Sequence, residues 1–256
     1  MPAEGRPGGA VAFFLTSAHE CGYLPARQAV NVVVDPALVV DTSLYSRLAG
    51  LGFRRSGSRV YRPACPACAA CIPLRVPADD FSPRRSQRRV WSRNRDLMVR
   101  ERPPGFDPEH YALYCRYIAD RHTGGGMDET TPDAYLAFIT GQGIETLLVE
   151  FLAAGRCVAV AVTDVLADGL SAVYTFYDTT LTRRSLGVYA VLWQIEAARR
   201  LGKQWLYLGY WIEACRKMSY KVDFRPHELL LAGRWQRFGD APAEGNRPAG
   251  HLTEAE

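Results

Sequence analysis

The sequence has no long apolar run. None of its stretches approaches the roughly 18 to 20 apolar residues that a membrane-spanning helix needs. The early stretch Val11 to Leu15 is too short for a secretory signal peptide and lacks a convincing basic flank. These absences predict a cytoplasmic protein with no membrane partner. A hydrophobic content of 48% over 256 residues is enough for the core of one large domain or of two modest ones.

Lysine is also scarce, because only three of the 31 basic residues are lysines. Arginine is concentrated in the first part of the chain. Residues 1–105 contain sixteen arginines and eight acidic residues, whereas residues 106–256 contain fifteen basic and nineteen acidic residues. A polyanion such as RNA is therefore expected to contact the N-terminal part, although basic surfaces also occur on proteins that bind no nucleic acid.

Seven cysteines are an odd number, and three of them lie within seven residues, at Cys65, Cys68 and Cys71. This pattern suits free thiols or metal ligation in a reducing compartment better than a secreted disulfide framework. Three thiols in one tight turn can share a metal ion, with the distant Cys21 as a possible fourth ligand. The spacing alone leaves zinc, an iron–sulfur cluster and free thiols open.

The consecutive prolines in Arg102 to Gly105 predict a domain boundary, since they end the preceding element. We therefore expect a smaller, basic, cysteine-containing N-terminal domain over 1–105 and a second domain over 106–238. From Gly239 onwards hardly any large apolar residue occurs, which predicts a disordered tail over 239–256.

The second domain has an alternating pattern of helix and strand signals. The predicted elements are a helix starting at Asp107-Pro108, strands Ile144 to Phe151, Arg156 to Val165 and Gly169 to Tyr177, a helix Val188 to Leu201 capped by Ser185, a strand Trp205 to Tyr210, a short helix Cys215 to Tyr220 and a strand Leu229 to Leu231. This order predicts an α+β fold of the acetyltransferase (GNAT) type. Its sheet would be mainly antiparallel, with the substrate cleft where the sheet splays.

Acetyl-CoA enzymes of that fold hold a diphosphate on a helix start with the pattern Arg/Gln-x-x-Gly-x-Gly/Ala. The corresponding stretch runs from Arg184 to Tyr189, and Tyr189 stands where a very small side chain is needed. This argues against CoA. The free N–H groups of the helix start can instead hold an RNA terminal phosphate or a carbonyl oxygen, with ordinary helix capping as the alternative.

Two further stretches carry candidate binding residues. The run Pro83 to Arg95 combines many arginines with Trp91, a composition suited to phosphate contacts and base stacking, or equally to a solvated basic helix end. Towards the C-terminus, aromatic and cationic residues gather after a buried strand, where they can bind carboxylates or phosphates. Lys217 and Lys221 are four residues apart on one helix face, and the rarity of lysine here favours a functional role for both.

Many of these segments resemble the arginyl-tRNA–protein transferase family, almost from end to end. The stretches that carry the resemblance are Cys21 to Pro25, Gly52 to Gly57, Tyr61 to Pro63, the three-cysteine turn, Ser86 to Arg89, Tyr117-Ile118, Arg121-His122 with the glycines that follow, Tyr174 to Asp178, Ser185 to Gly187 and Gly209 to Lys221. Members that transfer arginine have a second cysteine in the first motif, where this chain has Leu24. That difference favours the subgroup that transfers leucine.

The resemblance implies an enzyme that conjugates leucine from leucyl-tRNA to proteins that begin with Asp or Glu, and so marks them for degradation by the N-degron pathway. Its partners would be leucyl-tRNA and those acceptor proteins, and transfer would require no cofactor. Transfer of arginine, a CoA-dependent N-acetyltransferase and an RNA adaptor without chemistry are the alternatives.

An amine that attacks an aminoacyl ester needs mainly to be positioned, with the oxyanion stabilised and the leaving oxygen protonated. We expect Ser185 and Gly187 to form the oxyanion or terminal-nucleotide site, and Tyr210 or Tyr220 to relay the proton. The expected acceptor-binding residues are Arg54, Arg55, Arg62, Tyr189, Lys217, Lys221 and Arg225, and the expected tRNA contacts are Arg84, Arg85, Arg88 and Arg89.

Overall fold

The computed structural model describes residues 10–121 and 131–239, so most of the predicted disordered tail lies outside the described residues. Within those ranges the strands are β1 Phe13–Leu15, β2 His19–Glu20, β3 Gln28–Ala29, β4 Asn31–Val34, β5 Arg54–Ser56, β6 Arg59–Pro63, β7 Ile72–Pro77, β8 Met98–Arg102, β9 Thr146–Ala153, β10 Arg156–Val165, β11 Gly169–Tyr177, β12 Trp205–Trp211, β13 His227–Leu231 and β14 Arg234–Phe238. The helices are α1 Thr42–Gly50, α2 Arg85–Arg93, α3 Pro108–Arg121, α4 Pro132–Ile139, α5 Leu186–Arg200 and α6 Arg216–Ser219, with 3-10 turns at Thr182–Arg184 and Tyr220–Asp223.

An eight-stranded sheet dominates the fold, in the order β14-β13-β7-β12-β11-β10-β9-β8. Every neighbouring pair is antiparallel except β11 and β12. The mainly antiparallel α+β prediction is therefore confirmed, and β9 to β11 form the predicted meander. Strand β10 is buried along almost its whole length, because helices cover both faces of the sheet.

Two strands of this sheet come from before residue 105. β7 lies between β12 and β13, and β8 forms the edge beside β9. The sequence boundary at 102–105 falls between β8 and α3, so the chain segments on its two sides share one sheet. Four other N-terminal strands build a separate sheet in the order β1-β4-β6-β5, and β2 pairs with β3 in a third, two-stranded sheet.

Helices α3 and α5 begin differently. Asp107 caps α3 as predicted, since its Oδ1 accepts the Glu109 N–H at 2.9 Å. Helix α5 starts at Leu186, two residues before the predicted start, and Ser185 precedes it in a left-handed conformation with φ 52°. The Ser185 side chain makes no capping hydrogen bond, so the predicted side-chain cap is wrong.

A buried ion pair joins the small sheet to the large one. Arg55 of β5 is 1% exposed, and its Nε and Nη2 each lie 2.7 Å from an oxygen of Asp164 in β10. Thr146 Oγ1 donates to the same carboxylate at 2.8 Å. Such a pair is stable in the interior only because every oxygen and N–H finds a partner.

None of the helices in the described part of the chain combines the length and the apolar composition that crossing a membrane requires.

Candidate active-site cleft and basic helix

The parallel strands β11 and β12 separate soon after they begin. They pair only between Gly169–Ser171 and Trp205–Tyr207, yet β11 continues to Tyr177 and β12 to Trp211. Gly209, with φ 72°, lies at a bulge where β12 turns away. We call the opening between the later halves of the two strands the splay cleft.

Arg54 bridges the two walls of the splay cleft. Its Nη2 donates to the Val173 carbonyl of β11 at 3.1 Å, and a Cβ at Gly209 would lie only 2.8 Å from its Nη1. Glycine at position 209 therefore lets the guanidinium approach β12. No carboxylate in the described ranges forms an ion pair with Arg54. Although burial opposes it, nearby tyrosine hydroxyls, Tyr61 first, raise the pKa of Arg54, so it stays charged.

Lys221 is a second basic residue beside Arg54. It is 7% exposed, and its Nζ donates to the Tyr210 carbonyl at 2.9 Å. Burial, and then the positive charge of Arg54, lower the pKa of Lys221 well below its usual value. A charged guanidinium beside a buried amine, with no acidic partner among the described residues, favours the binding of an anion.

Three tyrosines lie beside the start of α5. The ring of Tyr177 covers Gly187, where a Cβ would lie 3.3 Å from Tyr177 Cε1. Tyr117 packs on Tyr177 with 4.9 Å between ring centroids and 58° between the ring planes, and their hydroxyls are hydrogen-bonded. Burial and the neighbouring Tyr177 raise the pKa of Tyr220, whereas Arg54 lowers it. The helix start and the cationic pair thus belong to one continuous site.

The N-terminus of α5 supplies hydrogen-bond donors to this site. The Ser185 carbonyl accepts the N–H groups of both Val188 and Tyr189 at 3.0 Å. The N–H groups of Leu186 and Gly187 precede the first intrahelical bond, so they have no partner within the helix. They lie at the positive end of the helix dipole. They are suited to a carbonyl oxygen that becomes an oxyanion.

Helix α2 presents a basic face to solvent. Its exposed side chains line a shallow surface depression and comprise Arg85, Arg88, Arg89, Ser92 and Arg93. The first four of these recur at spacings of three and four residues, so they lie on one side of the helix. Trp91 does not join them: it is 6% exposed and packs on Tyr189 with ring centroids 5.4 Å apart. The expected base stacking on Trp91 is therefore wrong.

Four cysteines gather near the cleft. The Leu24 N–H donates to Cys21 Sγ at 3.4 Å and the Val30 N–H to Cys65 Sγ at 3.5 Å, as N–H groups do around thiolate ligands. Burial, followed by the neighbouring thiols Cys21, Cys65 and Cys68, raises the pKa of Cys71 to about 12. Four thiols on two turns fit zinc or an iron–sulfur cluster in donor type. Among the described residues no three of their sulfurs lie within 4.8 Å of one another, so binding would have to draw them together.

Comparison with known proteins gives the family. The description "Arginine-tRNA-protein transferase, N terminus" matches residues 19–89, and "Arginine-tRNA-protein transferase, C terminus" matches residues 109–231. The chain belongs to the arginine-tRNA-protein transferase family.

Relatives within the arginine-tRNA-protein transferase family cover most of the chain. Proteins named aspartate/glutamate leucyltransferase are 51% identical in Chromobacterium violaceum, over 89% of this chain and 94% of the relative, and 49% identical in Hahella chejuensis, over 87% and 95%. The Pseudomonas aeruginosa relative is 50% identical over 87% and 95%. A solved DUF2156 domain from Agrobacterium fabrum is 15% identical, with a TM-score of 0.44 over 71% of this chain and 58% of that chain.

In this member of the arginine-tRNA-protein transferase family, the fold brings five of the predicted site residues together. They are Arg54, Ser185, Gly187, Tyr220 and Lys221. Lys217 is separated from them, since it is exposed and its Nζ donates to the Arg121 carbonyl at 3.0 Å. The expected common face of Lys217 and Lys221 is wrong, because α6 ends between them.

Three other predicted residues are structural. Arg55 is used entirely by the buried pair with Asp164. Tyr210 is 1% exposed, and its hydroxyl donates to the carbonyls of Gly52 at 3.0 Å and Tyr61 at 3.3 Å, so it does not suit a proton relay. Tyr189 is 5% exposed within the core, pointing away from the helix start, so its bulk says nothing about CoA.

The last three predicted contacts lie at the surface away from the cleft. Arg62 follows Tyr61 in β6, so its side chain lies on the opposite face of the small sheet from Tyr61 and Arg54, over the Phe53 ring. Arg225 is exposed and donates to the Val222 carbonyl at 3.2 Å. Arg84, the residue before α2, forms an ion pair with Asp223, so its guanidinium is already engaged.

Sequence reasoning missed two groups. Tyr117 and Tyr177 entered only as parts of resembling segments, although an aromatic pair at the end of a strand beside a glycine-containing helix start was a usable signal. Asp107, His110 and Glu150 place three ligand atoms within 4.8 Å of one another. Glu150 also accepts hydrogen bonds from Arg100 and Arg102, so this group is an ion-pair network.

Proposed function

We propose that this protein transfers leucine from leucyl-tRNA to the N-terminal amino group of proteins that begin with Asp or Glu, which marks them for degradation. The observation that carries the proposal is about 50% identity, over nearly the whole length of the relatives, to proteins named aspartate/glutamate leucyltransferase. The splay cleft supports it, because a helix N-terminus and a cation without an acidic partner in the described ranges lie where one substrate needs an oxyanion site and the other a carboxylate site.

Arg54 is the residue we assign to the acceptor carboxylate. It is the one predicted arginine that reaches into the splay cleft with no acidic partner in the described part of the chain. A guanidinium binds a carboxylate through two parallel hydrogen bonds, which gives both affinity and geometry. Lys221 lies beside it, and a carboxylate that enters would favour the protonated form of its amine, which burial and Arg54 disfavour.

The start of α5 is the site for the ester. The acceptor amine attacks the leucyl carbonyl, and the oxygen that becomes negative is held by the N–H groups of Leu186 and Gly187. A protein α-amino group has a pKa near 8, so a useful fraction is already neutral at cellular pH. Holding the amine against the ester therefore supplies most of the rate.

The basic face of α2 is the proposed tRNA contact. Arg85, Arg88 and Arg89 are exposed on one side of the helix, so they can reach phosphates, although Arg88 also donates to the Pro83 carbonyl. Phosphate contacts of this kind position an RNA without reading its sequence. Selection of leucyl-tRNA then depends on the aminoacyl end and on contacts elsewhere.

We propose that the large sheet is used as in a GNAT-type transferase. The splay between parallel strands, followed by a helix whose start faces the opening, is where such folds bind the acyl donor, and here Arg54 occupies it. The N-terminal cysteine-containing part supports this site from one side, since Cys71 and Tyr23 pack against Tyr210.

We further propose that Cys21, Cys65, Cys68 and Cys71 hold zinc or an iron–sulfur cluster. A bound metal would stabilise the crowded thiolates and fix the turn that packs beneath β12. The cluster's contribution is structural in this proposal, and the transfer step uses the residues of the splay cleft alone.

The experiment offers each donor separately: radiolabelled leucyl-tRNA, radiolabelled arginyl-tRNA and acetyl-CoA, with peptides that begin with Asp, Glu or Ala. We expect leucine on the Asp and Glu peptides only. Arginine transfer would keep the reaction and correct the donor. Acetylation without aminoacyl transfer would contradict the proposal.

A further inference from the structure

We propose that the Tyr177 hydroxyl is a catalytic group that passes the proton of the attacking amine to the departing ribose oxygen, with Tyr117 as its positioning residue. The inference rests on the proposed function and assigns a step within it. Neither residue is among those that the sequence pattern marked for proton transfer.

The position of Tyr177 carries the inference. It is the last residue of β11, at the mouth of the splay cleft, and a Cβ on Gly187 would lie 3.8 Å from its hydroxyl oxygen. The hydroxyl is therefore adjacent to the N–H groups of the α5 start. A carbonyl bound to those N–H groups places both its incoming nitrogen and its leaving oxygen within reach of Tyr177.

The neighbours of Tyr177 hold its hydroxyl in place. Tyr117 packs on its ring and hydrogen-bonds to its oxygen. Burial raises the pKa of Tyr117, so Tyr117 remains protonated and can donate to Tyr177. A hydroxyl that accepts from Tyr117 keeps its own proton for the substrate. Tyr220 and the cation Arg54 border the same space.

Other groups nearby are engaged elsewhere. The Tyr210 hydroxyl donates to two backbone carbonyls in the interior. Asp178, the next residue after Tyr177, is ion-paired with Arg156 at 3.0 Å and accepts hydrogen bonds from Thr180. The carboxylate is thus held by protein groups, and of the tyrosines beside the helix start Tyr177 is the one whose ring and hydroxyl lie nearest to Gly187.

The proposed step is balanced. The neutral α-amine forms a C–N bond to the leucyl carbonyl, giving a tetrahedral species with a positive nitrogen and an oxyanion at the α5 start. Tyr177 gives its proton to the ribose oxygen as the C–O bond breaks, and takes the proton of the nitrogen. The products are an amide and a free ribose hydroxyl, and Tyr177 is regenerated.

The test compares Tyr177→Phe with Tyr135→Phe. Each variant loses one hydroxyl and keeps the ring, and the Tyr135 hydroxyl is buried away from the cleft with no hydrogen-bond partner in the described residues. Single-turnover rates of leucine transfer to an Asp peptide are measured beside the affinity for leucyl-tRNA. We expect Tyr177→Phe to lower the rate about 100-fold with unchanged affinity. Tyr135→Phe should retain the wild-type rate.

Tyr117→Phe provides a second variant that leaves Tyr177 in place. Loss of one hydrogen bond to the relay should lower the single-turnover rate between about two- and tenfold, again without a change in tRNA affinity. The inference is overturned if Tyr177→Phe keeps its rate within threefold, or if its loss is one of affinity. A wild-type protein inactive with leucyl-tRNA would instead contradict the proposed function.

Discussion

The buried pair between Arg55 and Asp164 provides the sharpest prediction about stability. Arg55→Leu removes two hydrogen bonds of 2.7 Å to the carboxylate and others to Thr146 and to backbone carbonyls. Asp164, with 0% side-chain exposure, would retain only Thr146 as a partner. Removing one partner of a buried pair costs about 3 to 5 kcal/mol, because the other charge is left uncompensated.

For a chain of this size that loss lowers the Tm by about 6 to 20 °C, at roughly 2 to 4 °C per kcal/mol. Calorimetry or thermal unfolding followed by circular dichroism measures it. Arg62→Leu is the control, since its side chain is exposed, takes no part in the buried pair and should change stability by less than about 0.5 kcal/mol.

The double variant Arg55→Leu, Asp164→Leu tests the cause. Replacing a whole buried pair by apolar side chains is often neutral, so the double variant should be more stable than Arg55→Leu alone. Equal stability of the two would refute the reasoning. A stable Arg55→Leu that no longer distinguishes Asp from Ala peptides would restore the sequence prediction that Arg55 binds substrate.

Four further predictions concern the site and the helices. Arg54→Gln should raise the KM for Asp and Glu peptides about 10- to 100-fold, as expected for the loss of a charge-assisted pair. The affinity of the enzyme for leucyl-tRNA should be unchanged. Arg89→Gln should weaken leucyl-tRNA binding and reduce the slope of log affinity against log salt by about one, measured by filter binding. Although burial opposes it, backbone N–H groups of α3 lower the pKa of Asp107. The stabilising contribution of this carboxylate should therefore be present above about pH 4 and be lost as the pH falls through the lower folded pKa. Measured by urea unfolding, the wild-type protein should lose more stability between pH 6 and pH 3 than Asp107→Asn does, and equal losses in the two proteins would contradict this. Cys68→Ser should reduce the amount of zinc or iron bound to the protein, measured by elemental analysis, and should also lower the Tm. Cys115→Ser, outside the cluster, should change neither. Wild-type protein that contains no metal would argue against the thiolate site.

The elements that were predicted correctly have local signals. Helix α3 has an Asp-Pro start and apolar residues at helical spacing, and β9 to β11 are β-branched runs joined by short turns. β7 was missed because its partners β12 and β13 lie far along the chain. Prolines stand near both ends of β7, at Pro73 and Pro77, and prolines usually indicate a loop or an edge strand. Nothing in the local sequence indicates that β7 enters the middle of the sheet.

The site could be predicted only as a set of candidates. Arg54 and Arg55 are adjacent in sequence, but successive residues of a strand point to opposite faces. Arg55 meets Asp164, 109 residues away, whereas Arg54 enters the splay cleft. No local pattern distinguishes the two. The same holds for Tyr189, which belongs to the core because α2 packs against α5.

The most direct measurement uses an unbiased mixture of donors. Three copies of one reporter protein, beginning with Asp, Glu or Ala, are incubated with the enzyme and with total tRNA charged with all amino acids, and intact masses are then recorded. The account predicts that the Asp and Glu reporters gain the mass of one leucine residue and that the Ala reporter is unchanged. A gain of arginine, or an equal gain on all three reporters, would contradict it.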